Sequence, residues 1–441
     1  ILDRWYRVVH PPDSPMKIAL VAMSGIRACN SELLALGLTL PGFVERSKTI
    51  ASLPSLGLLT LAGMTPPEHQ LTYLEIEDIR HFELWDSLCG HDLVAISSYS
   101  AQIDEAYELA AFLKRNGIQV VMGGVHVSHL PDEALVYCSS VIIGEGENVW
   151  TQVIEDAGVR LLKSRYGKLG NNFDLDDAPM PRFELLDYDK YNRLTVQTSR
   201  GCPHRCEFCA SSINLTLQYK QKPDHKVLEE IDRIRDLWPK PFIEFADDNS
   251  FVNRSYWKRL LPELAKRKIR WFAETDISVG QDEELLDMMR GAGCAQVLIG
   301  LESTDPNTLN GLEQKRNWKY RQLEHYQASI EAIQSHGITV NGCFILGLDG
   351  QNASVFDAVF DYVRSCRLYE VQITLLTAFP GTPLYERLSR EGRLIEPSNW
   401  KKCTLFDVNF IPSHMTVEEL ERGFMDLGHR LYNSAFTDWR R

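Results

Sequence analysis

The sequence predicts an α/β protein that contains two parallel β-sheets and ends in a helical region. The chain has 441 residues, which is long enough for about two or three domains. Two series of Val- and Ile-rich runs alternate with amphipathic stretches, a pattern typical of parallel sheets covered by helices. With 44% hydrophobic and 24% charged residues, the chain can bury a large core.

The first series predicts a doubly wound, Rossmann-like domain over residues 1–160. Gly117 is placed to end a helix before the next strand. Residues 161–192 are acidic, contain proline and lack periodicity, so we expect a linker there. The strands of this domain are expected at 16–23, 69–77, 92–100, 118–124 and 139–147, with helices over 55–65 and 102–117 and from Pro131.

The second series predicts a partial (βα)6 barrel over residues 193–385, followed by a helical region over 386–441 whose clearest helix is 415–433. Its strands are expected at 194–199, 241–247, 269–275, 295–303, 338–348 and 370–379. Several of them end in polar stretches: FADDN, GLES, GLDG and FPGTP. Because ligands bind at the carboxyl ends of parallel strands, these stretches are candidate binding elements.

Composition and charge argue against several classes of protein. The formal net charge is −13 and no Lys/Arg-rich block occurs, so a nucleic-acid partner is not expected. No run of about 18 apolar residues is present, so we expect no transmembrane segment. The first residues lack the layout of a signal peptide. Apart from one cluster, the cysteines occur singly, as in a reducing compartment, and we expect a cytoplasmic protein.

That cluster lies in RGCPHRCEFCASS, residues 200–212, and consists of Cys202, Cys206 and Cys209. A structural zinc site needs four ligands, and an iron–sulfur cube normally takes four thiolates. His204 is inside the loop but is awkwardly placed as a fourth ligand. A cube held by three thiolates leaves one iron open to a small molecule. The alternative is a zinc site or a redox-active cysteine patch.

The loop follows a predicted strand and resembles the cluster loop of radical S-adenosylmethionine (SAM) enzymes. The resemblance implies that Cys202, Cys206 and Cys209 hold a 4Fe–4S cluster. It also implies that the open iron binds SAM, whose reductive cleavage gives a 5′-deoxyadenosyl radical. At the end of the fifth strand, Asp349 stands where the family usually has Glu. The residues implied in SAM binding are Phe208, Asp247, Asp248, Asn249, Glu302, Gly347 and Asp349.

Upstream, LPSLGLLTLAG (53–63), ISSYSAQ (96–102), VMGGVHVSHLPDEA (121–134) and IIGEGE (142–147) resemble the cobalamin-binding domain of one radical SAM subfamily. The DxHxxG signature that supplies an axial histidine in many cobalamin proteins is absent. The alternative is that the domain serves only as a scaffold. The residues implied in cobalamin binding are Ser97, Ser98, Tyr99, Ser100, Gly123, Gly124, Val125, His126, Ser128, Gly144, Glu145 and Gly146.

Together these resemblances imply a cobalamin-dependent radical SAM enzyme that methylates an unactivated carbon of a small-molecule or lipid substrate. They also imply an electron donor such as flavodoxin or ferredoxin. One alternative shares the cofactors but catalyses a rearrangement, cyclisation or oxidation in natural-product biosynthesis, without methyl transfer. An alternative of another class is a non-catalytic iron–sulfur or cobalamin carrier or sensor, which would form no 5′-deoxyadenosine.

Overall fold

The computed structural model describes residues 14–36, 53–80, 82–210 and 218–441. The described chain divides into two units. The first unit comprises residues 14–26 and 53–190, and the second comprises 27–36, 191–210 and 218–441. The predicted first domain, 1–160, also includes residues 1–13 and 37–52, which lie outside the described residues.

The first unit is built on a sheet of six parallel strands. These strands are β1 (Lys17–Met23), β2 (Gln70–Ile76), β3 (Leu93–Ser97), β4 (Gln119–Gly123), β5 (Ser140–Ile143) and β6 (Arg165–Gly167). The α-helices of this unit are Leu56–Met64, Phe82–Leu88, Ile103–Arg115, Val125–His129, Pro131–Leu135 and Trp150–Gly158. Short 3-10 helices are Ser100–Gln102, Gly146–Asn148, Leu175–Asp177, Phe183–Leu185 and Tyr188–Lys190.

The strand order of this sheet is β2-β1-β3-β4-β5-β6, which is the doubly wound arrangement that the sequence predicts. Six of the seven residues of β1 are buried, as expected for a parallel strand covered on both faces. Gly117 has φ +80° and directly follows the cap of helix Ile103–Arg115. Because all the strands run parallel, their carboxyl ends lie along one edge of the sheet.

The segment expected to be a linker, 161–192, instead folds largely with the first unit, which includes it up to Lys190. Arg165–Gly167 pairs with β5 as a sixth strand. The N–H of Arg182 donates to the C=O of Leu59 at 3.1 Å, and Phe183 is buried. The sequence shows no periodicity here because a three-residue strand and single turns are too short to produce one.

The second unit contains a second six-stranded sheet. Its strands are β7 (Leu194–Val196), β10 (Phe242–Phe245), β11 (Arg270–Thr275), β12 (Cys294–Glu302), β13 (Thr339–Leu346) and β14 (Glu370–Leu375), and a separate hairpin pairs β8 (Ser199–Arg200) with β9 (Lys220–Gln221). The α-helices are Ser31–Leu36, Asp224–Leu237, Arg254–Arg267, Glu283–Gly291, Pro306–Leu309, Trp318–Gln322, Tyr326–Ser335, Val355–Cys366, Pro383–Arg390, Val417–Tyr432 and Ser434–Arg440. The 3-10 helices are Ile277–Gln281, Leu323–His325 and Trp400–Lys402.

The order of the second sheet is β14-β13-β12-β11-β10-β7, so each strand pairs in parallel with the sheet strand that precedes it in the chain. Right-handed crossovers place the connecting helices on one face of such a sheet. Phe245 and Trp271 show which face this is, because their ring centroids lie 5.1 and 6.1 Å from that of Trp257 in helix Arg254–Arg267. Side chains at the alternating positions therefore belong to the opposite, inner face.

The carboxyl-terminal region is helical, as predicted. Thr416 and Glu419 form a capping box at the start of helix Val417–Tyr432, and Leu420, Phe424 and Leu427 are buried. The predicted α/β class, with a Rossmann-like sheet, a six-stranded second sheet and this helical end, is confirmed. In the part of the chain that the structure describes, no helix has the length and apolar character needed to cross a bilayer.

Candidate functional site

The three clustered cysteines come just after β7 and β8. Cys206 is buried, whereas Cys202 and Cys209 are partly exposed. The N–H of Cys209 donates to the C=O of Cys206 at 3.1 Å and closes a turn between them. Cys209 lies close enough that its negative charge, when ionised, would raise the pKa of both Cys202 and Cys206. The loop therefore presents three thiols close together.

Burial determines the acidity of these thiols. It raises the pKa of Cys202 to about 11 and also raises the pKa of Cys206 above its usual range. Iron binds thiolates, so filling this site releases protons. Within the described residues, no three His, Cys, Asp or Glu side chains surround a point where a single metal ion would sit. The thiolates of a cube bind different irons, so a cluster loop does not require such convergence.

His204 has partners other than the cysteines. Its ring stacks on Trp318 with centroids 5.0 Å apart, and its Nε2 lies 3.5 Å from the carboxylate of Asp276. Burial alone would raise the pKa of Asp276, but hydrogen bonds from His204 and its neighbours hold it below the usual range. His204 therefore packs beside the loop, as expected for a residue that is not a fourth ligand.

Two carboxylates predicted to bind SAM hold the backbone in front of the cysteines. Asp247 is 3% exposed and accepts the N–H groups of Thr198 and Ser199 at 2.7 and 2.8 Å. Asp248 accepts the N–H of Gly201 at 2.7 Å. The structure thus gives both residues a positioning role, which the sequence analysis did not predict.

Glu313, which the sequence analysis missed, holds the loop from the other side. Its buried carboxylate accepts backbone N–H groups at 2.8–3.1 Å from Arg205, Lys315, Arg316 and Trp318. Burial alone would raise the pKa of Glu313, but these donors hold it at about 2. No local pattern marks Glu313, because Arg205 lies 108 positions away in the sequence.

Glu302 lies at a bulge at the end of β12, with a left-handed φ of 64°. Its carboxylate accepts a bond from Nζ of Lys319 at 2.9 Å, and both side chains are largely buried. Burial by itself lowers the pKa of Lys319, but the charges of Glu302 and Cys206 outweigh it and raise the pKa. Lys319, also missed from the sequence, thus brings a positive charge near the Cys206 thiol, where it favours the thiolate.

Asn249 and Phe208 flank the cysteines. The Nδ2 of Asn249 donates to Asp276 at 3.0 Å and lies 3.8 Å from the sulfur of Cys202. Phe208 is partly exposed on the loop itself. These two predicted SAM-binding residues therefore remain next to the cysteines in the folded protein.

The two predicted residues after β13 serve the carboxyl-terminal region. Asp349 pairs with Arg387 and Arg393 at 2.7 and 2.8 Å, and Arg387 also binds Glu207 of the cysteine loop at 2.7 Å. Burial would raise the pKa of Asp349, but the two guanidinium groups lower it. Gly347 has φ +93°, and a Cβ there would lie 2.9 Å from the side chain of Leu420. Packing thus accounts for this glycine, and Asp349 links the cysteine loop to the end of the chain.

The inner face of the second sheet holds an unusual acid, Glu274 of β11. Burial, followed by repulsion from Glu244 and Asp248, raises the pKa of Glu274 to about 8. The neighbouring Glu244 is itself paired with Arg193. Glu274 is therefore a carboxyl group that is mainly protonated at neutral pH.

The stretches predicted to bind cobalamin meet at one edge of the first sheet. Ser97 ends β3, Gly123 ends β4 and Gly144 follows β5. Ser97 and Gly123 are partly exposed, and Tyr99 is 62% exposed. The parallel sheet thus brings together three stretches that are separate in the sequence.

Several of the predicted cobalamin residues support these loops from inside. The ring of His126 is buried, with Nδ1 3.0 Å from the hydroxyl of Ser100 and Nε2 3.3 Å from Glu133. The hydroxyl of Ser128 accepts the N–H of Gly144 at 2.9 Å. The remaining members are Ser98, which donates to Tyr99, Val125, which begins helix Val125–His129, and Glu145, which accepts the N–H of Phe173.

The glycines at this edge differ in what the fold requires of them. Gly124 has φ +106°, and a Cβ on Gly144 would lie 2.7 Å from the C=O of Lys168, so the backbone needs glycine at both. Gly123 and Gly146 have ordinary φ values, and a Cβ there would come no closer than 3.6 and 3.5 Å to its neighbours. The fold therefore does not require glycine at these two positions, because a Cβ at either would make only ordinary van der Waals contacts.

We predict that replacing Cys202, Cys206 and Cys209 by Ala abolishes iron–sulfur absorbance and 5′-deoxyadenosine formation, because no thiolates remain to bind iron. Iron content, the visible spectrum and product chromatography measure this. The matched control replaces the buried Cys294, Cys366 and Cys403 by Ala and should keep about four irons per chain. Iron retained by the first variant would contradict the assignment.

We also predict that Glu274→Gln raises the melting temperature more at pH 8 than at pH 5. The pKa of Glu274 is about 8 in the folded protein, above the value of about 4.3 of an unfolded Glu. Folding therefore takes up a proton between these values, and stability is lost as the pH rises through that window. Glutamine removes this loss. Glu284→Gln, at an exposed carboxylate, is the control. An equal gain at both pH values would show that Glu274 titrates normally.

Three sequence profiles match the chain. That of the B12 binding domain matches residues 50–154, and that of the Radical SAM superfamily matches residues 196–363. A domain of unknown function, DUF4070, matches residues 382–437. The B12 binding profile covers β2 to β5 of the first sheet, the Radical SAM profile covers β10 to β13 of the second, and the third profile covers most of the helical end.

Similar proteins include methyltransferases. The chain is 30% identical over 353 residues to the bacteriochlorophyllide d C-12(1)-methyltransferase of Chlorobaculum tepidum, covering 78% of this chain and 76% of that protein. It is 27% identical over 372 residues to the hopanoid C-2 methylase of Rhodopseudomonas palustris, covering 82% and 69%. Its fold matches that of the cobalamin-dependent SAM radical enzyme OxsB with a TM-score of 0.69 at 16% identity, covering 94% of this chain and 66% of OxsB.

A B12 binding domain precedes a radical SAM domain with a three-cysteine loop, and several relatives over most of the chain are methyltransferases. The cofactors of the protein are accordingly a 4Fe–4S cluster, SAM and cobalamin. The chain belongs to the family of cobalamin-dependent radical SAM methyltransferases.

Proposed function

We propose that this protein methylates an unactivated carbon atom of a small-molecule or lipid substrate. The observation that carries the proposal is the three-thiol loop, whose backbone is held by the carboxylates of Asp247, Asp248 and Glu313. When bound, the cofactors supply reductive cleavage of SAM and a transferable methyl group. Overall, one SAM is cleaved to methionine and 5′-deoxyadenosine, which takes the substrate hydrogen. A second SAM supplies the methyl group that replaces this hydrogen and leaves as S-adenosylhomocysteine. The two electrons that this balance requires come from a donor such as flavodoxin or ferredoxin.

In this proposal Cys202, Cys206 and Cys209 hold the cluster. Asn249 lies 3.8 Å from the sulfur of Cys202. Glu302 lies at the neighbouring end of β12, and its pairing with Lys319 orients its carboxylate. We assign the side chains of Asn249 and Glu302 to the polar groups of SAM. Both are polar, both lie near the thiols, and their hydrogen bonds fix their positions.

Cobalamin is assigned to the edge formed by Ser97, Gly123 and Gly146. The partial exposure of these three residues at the carboxyl ends of β3, β4 and β5 supports this assignment. His126 supports the loop through both ring nitrogens and is not proposed as an axial ligand. The role of the chain here is to hold the ring in a fixed orientation and to keep water away from it.

The names of the relatives support carbon as the methylated atom. The C. tepidum protein is a C-12(1)-methyltransferase and the R. palustris protein is a C-2 methylase. Both names specify a carbon position. At about 30% identity this likeness supports the type of reaction and leaves the substrate to experiment.

We predict that Gly123→Leu weakens binding of hydroxocobalamin at least about tenfold while the protein stays folded, because the new side chain fills the space beside the ring. Absorbance titration measures binding, and melting temperature and iron content report the fold. Gly90→Leu, at an exposed turn, is the matched control. Gly124→Leu should lower the melting temperature as well, because φ there is +106°. Normal cobalamin binding by Gly123→Leu would remove this edge from the site.

The reaction itself is tested with SAM that carries a trideuterated methyl group. The anaerobically reconstituted protein, a reductant and candidate substrates should yield 5′-deoxyadenosine and a product 17 mass units heavier than the substrate, because CD3 replaces H. The Cys202, Cys206 and Cys209 triple variant is the control. A rearranged or oxidised product without the label would identify the first alternative reaction. Cofactor binding without 5′-deoxyadenosine would identify a carrier or sensor.

A further inference from the structure

The inner face of the second sheet carries buried polar groups that lack partners. Asn341 of β13 is 0% exposed and Gln372 of β14 is 7% exposed. Across the described ranges, neither amide atom of Asn341 nor the Oε1 of Gln372 has a hydrogen-bond partner. Burying such groups without partners costs free energy, so native proteins seldom do so unless the groups bind something.

These groups share one face and lie near Glu274. Glu274 and Asn341 both align with Leu298 of the strand between them. Gln372 lies on the next strand, opposite the residue two positions beyond Asn341. Phe344, at an alternating position of β13, packs on Tyr362 of an outer helix at 6.0 Å, so Asn341 faces inward. With strands about 4.8 Å apart, β11 to β14 spans about 14 Å, which one small molecule can bridge.

Among the atoms of Asn341 and Gln372 without partners, the Oδ1 and Oε1 accept hydrogen bonds and the Nδ2 donates them. The carboxyl group of Glu274 lies on the same face, on β11.

The full charges around Glu274 are already engaged. Glu244 is bound to Arg193, Asp247 and Asp248 hold the cysteine loop, and burial raises the pKa of the nearby thiol of Cys343. Glu244 and Asp248 nevertheless still repel negative charge at Glu274, so an incoming anion would be disfavoured there, whereas a cation or an N–H donor would be attracted.

We propose that the substrate binds this inner face through a positively charged nitrogen group, such as an amine or amidine, held by Glu274 together with Asn341 and Gln372. This deepens the proposed function, because it names the substrate class of the same reaction. The raised pKa of Glu274 agrees with this proposal, since burial and acidic neighbours disfavour its carboxylate. A bound cation supplies the positive charge that stabilises the carboxylate. The side chains that set this specificity lie on β11, β13 and β14.

The first experiment compares two Asn→Leu variants. Asn409 is also buried, but it bonds the N–H and the C=O of Ala378 at 3.1 and 3.0 Å. Asn409→Leu should therefore lower the melting temperature by at least about 2–4 °C. Asn341→Leu should leave it unchanged or raise it, because no bond is lost. An equal fall for Asn341→Leu would show a structural asparagine and overturn the proposal.

The second experiment identifies the substrate class. A metabolite extract is separated at pH 7 into a part retained on a cation exchanger, an unretained part and a lipid fraction, and each is incubated with trideuteromethyl-SAM. Labelled product should arise from the retained part. Glu274→Gln and Asn341→Leu should reduce labelling at least about tenfold with SAM affinity unchanged. The proposal would be overturned if label appeared only in the other fractions. It would also be overturned if the variants labelled the substrate as well as the unmodified protein does, or if they lost SAM affinity in parallel with labelling.

Failure of methyl transfer itself gives a different result. If no fraction yields label but the retained part stimulates 5′-deoxyadenosine formation, the methylation proposal is wrong and the substrate class stands. If the retained part neither becomes labelled nor stimulates 5′-deoxyadenosine formation, the substrate class is wrong. SAM cleavage without added substrate provides the baseline for both comparisons.

Discussion

The cysteine loop depends on three carboxylates that accept hydrogen bonds from backbone N–H groups. The loop lies largely outside regular secondary structure, so its N–H groups need acceptors from elsewhere. Asp247 and Asp248 supply them on one side and Glu313 on the other. Charge-assisted bonds of this kind are short and directional, so they fix where the thiols point. Arg387 extends the same support to the helical end of the chain through Glu207.

The inner face of the second sheet follows a related rule, because most of its buried charges are neutralised by a partner. Glu244 pairs with Arg193, and Glu302 pairs with Lys319. Such pairs satisfy the charge that burial would otherwise penalise. Glu274 departs from the rule, because Arg193 is engaged by Glu244 and acidic neighbours repel the Glu274 carboxylate. The contrast between paired and unpaired acids on one face separates groups that hold the structure from groups that are ready for a ligand.

The sequence predicted the two sheets well because parallel strands buried on both faces leave long apolar runs, as in β1. It missed β6 because three residues carry no periodicity. At the site, the cysteine spacing and the polar strand ends marked the right stretches. The sequence did not indicate that Asp247 and Asp248 bind backbone N–H groups. An acidic residue after a strand looks the same in the sequence whether its side chain faces a ligand or a neighbouring loop.

The sequence by itself determined the order of strands and helices, the three thiols on one loop and the glycines that positive φ requires, such as Gly124. These depend on neighbours within a few residues, so local pattern and spacing encode them. Tertiary structure decided which acids are paired and which are left unpaired. Glu313 meets Arg205 across 108 positions, and Arg387 meets Glu207 across 180. Such meetings depend on which strand ends become neighbours, because the strength of a charge interaction is set by distance and burial in the folded chain.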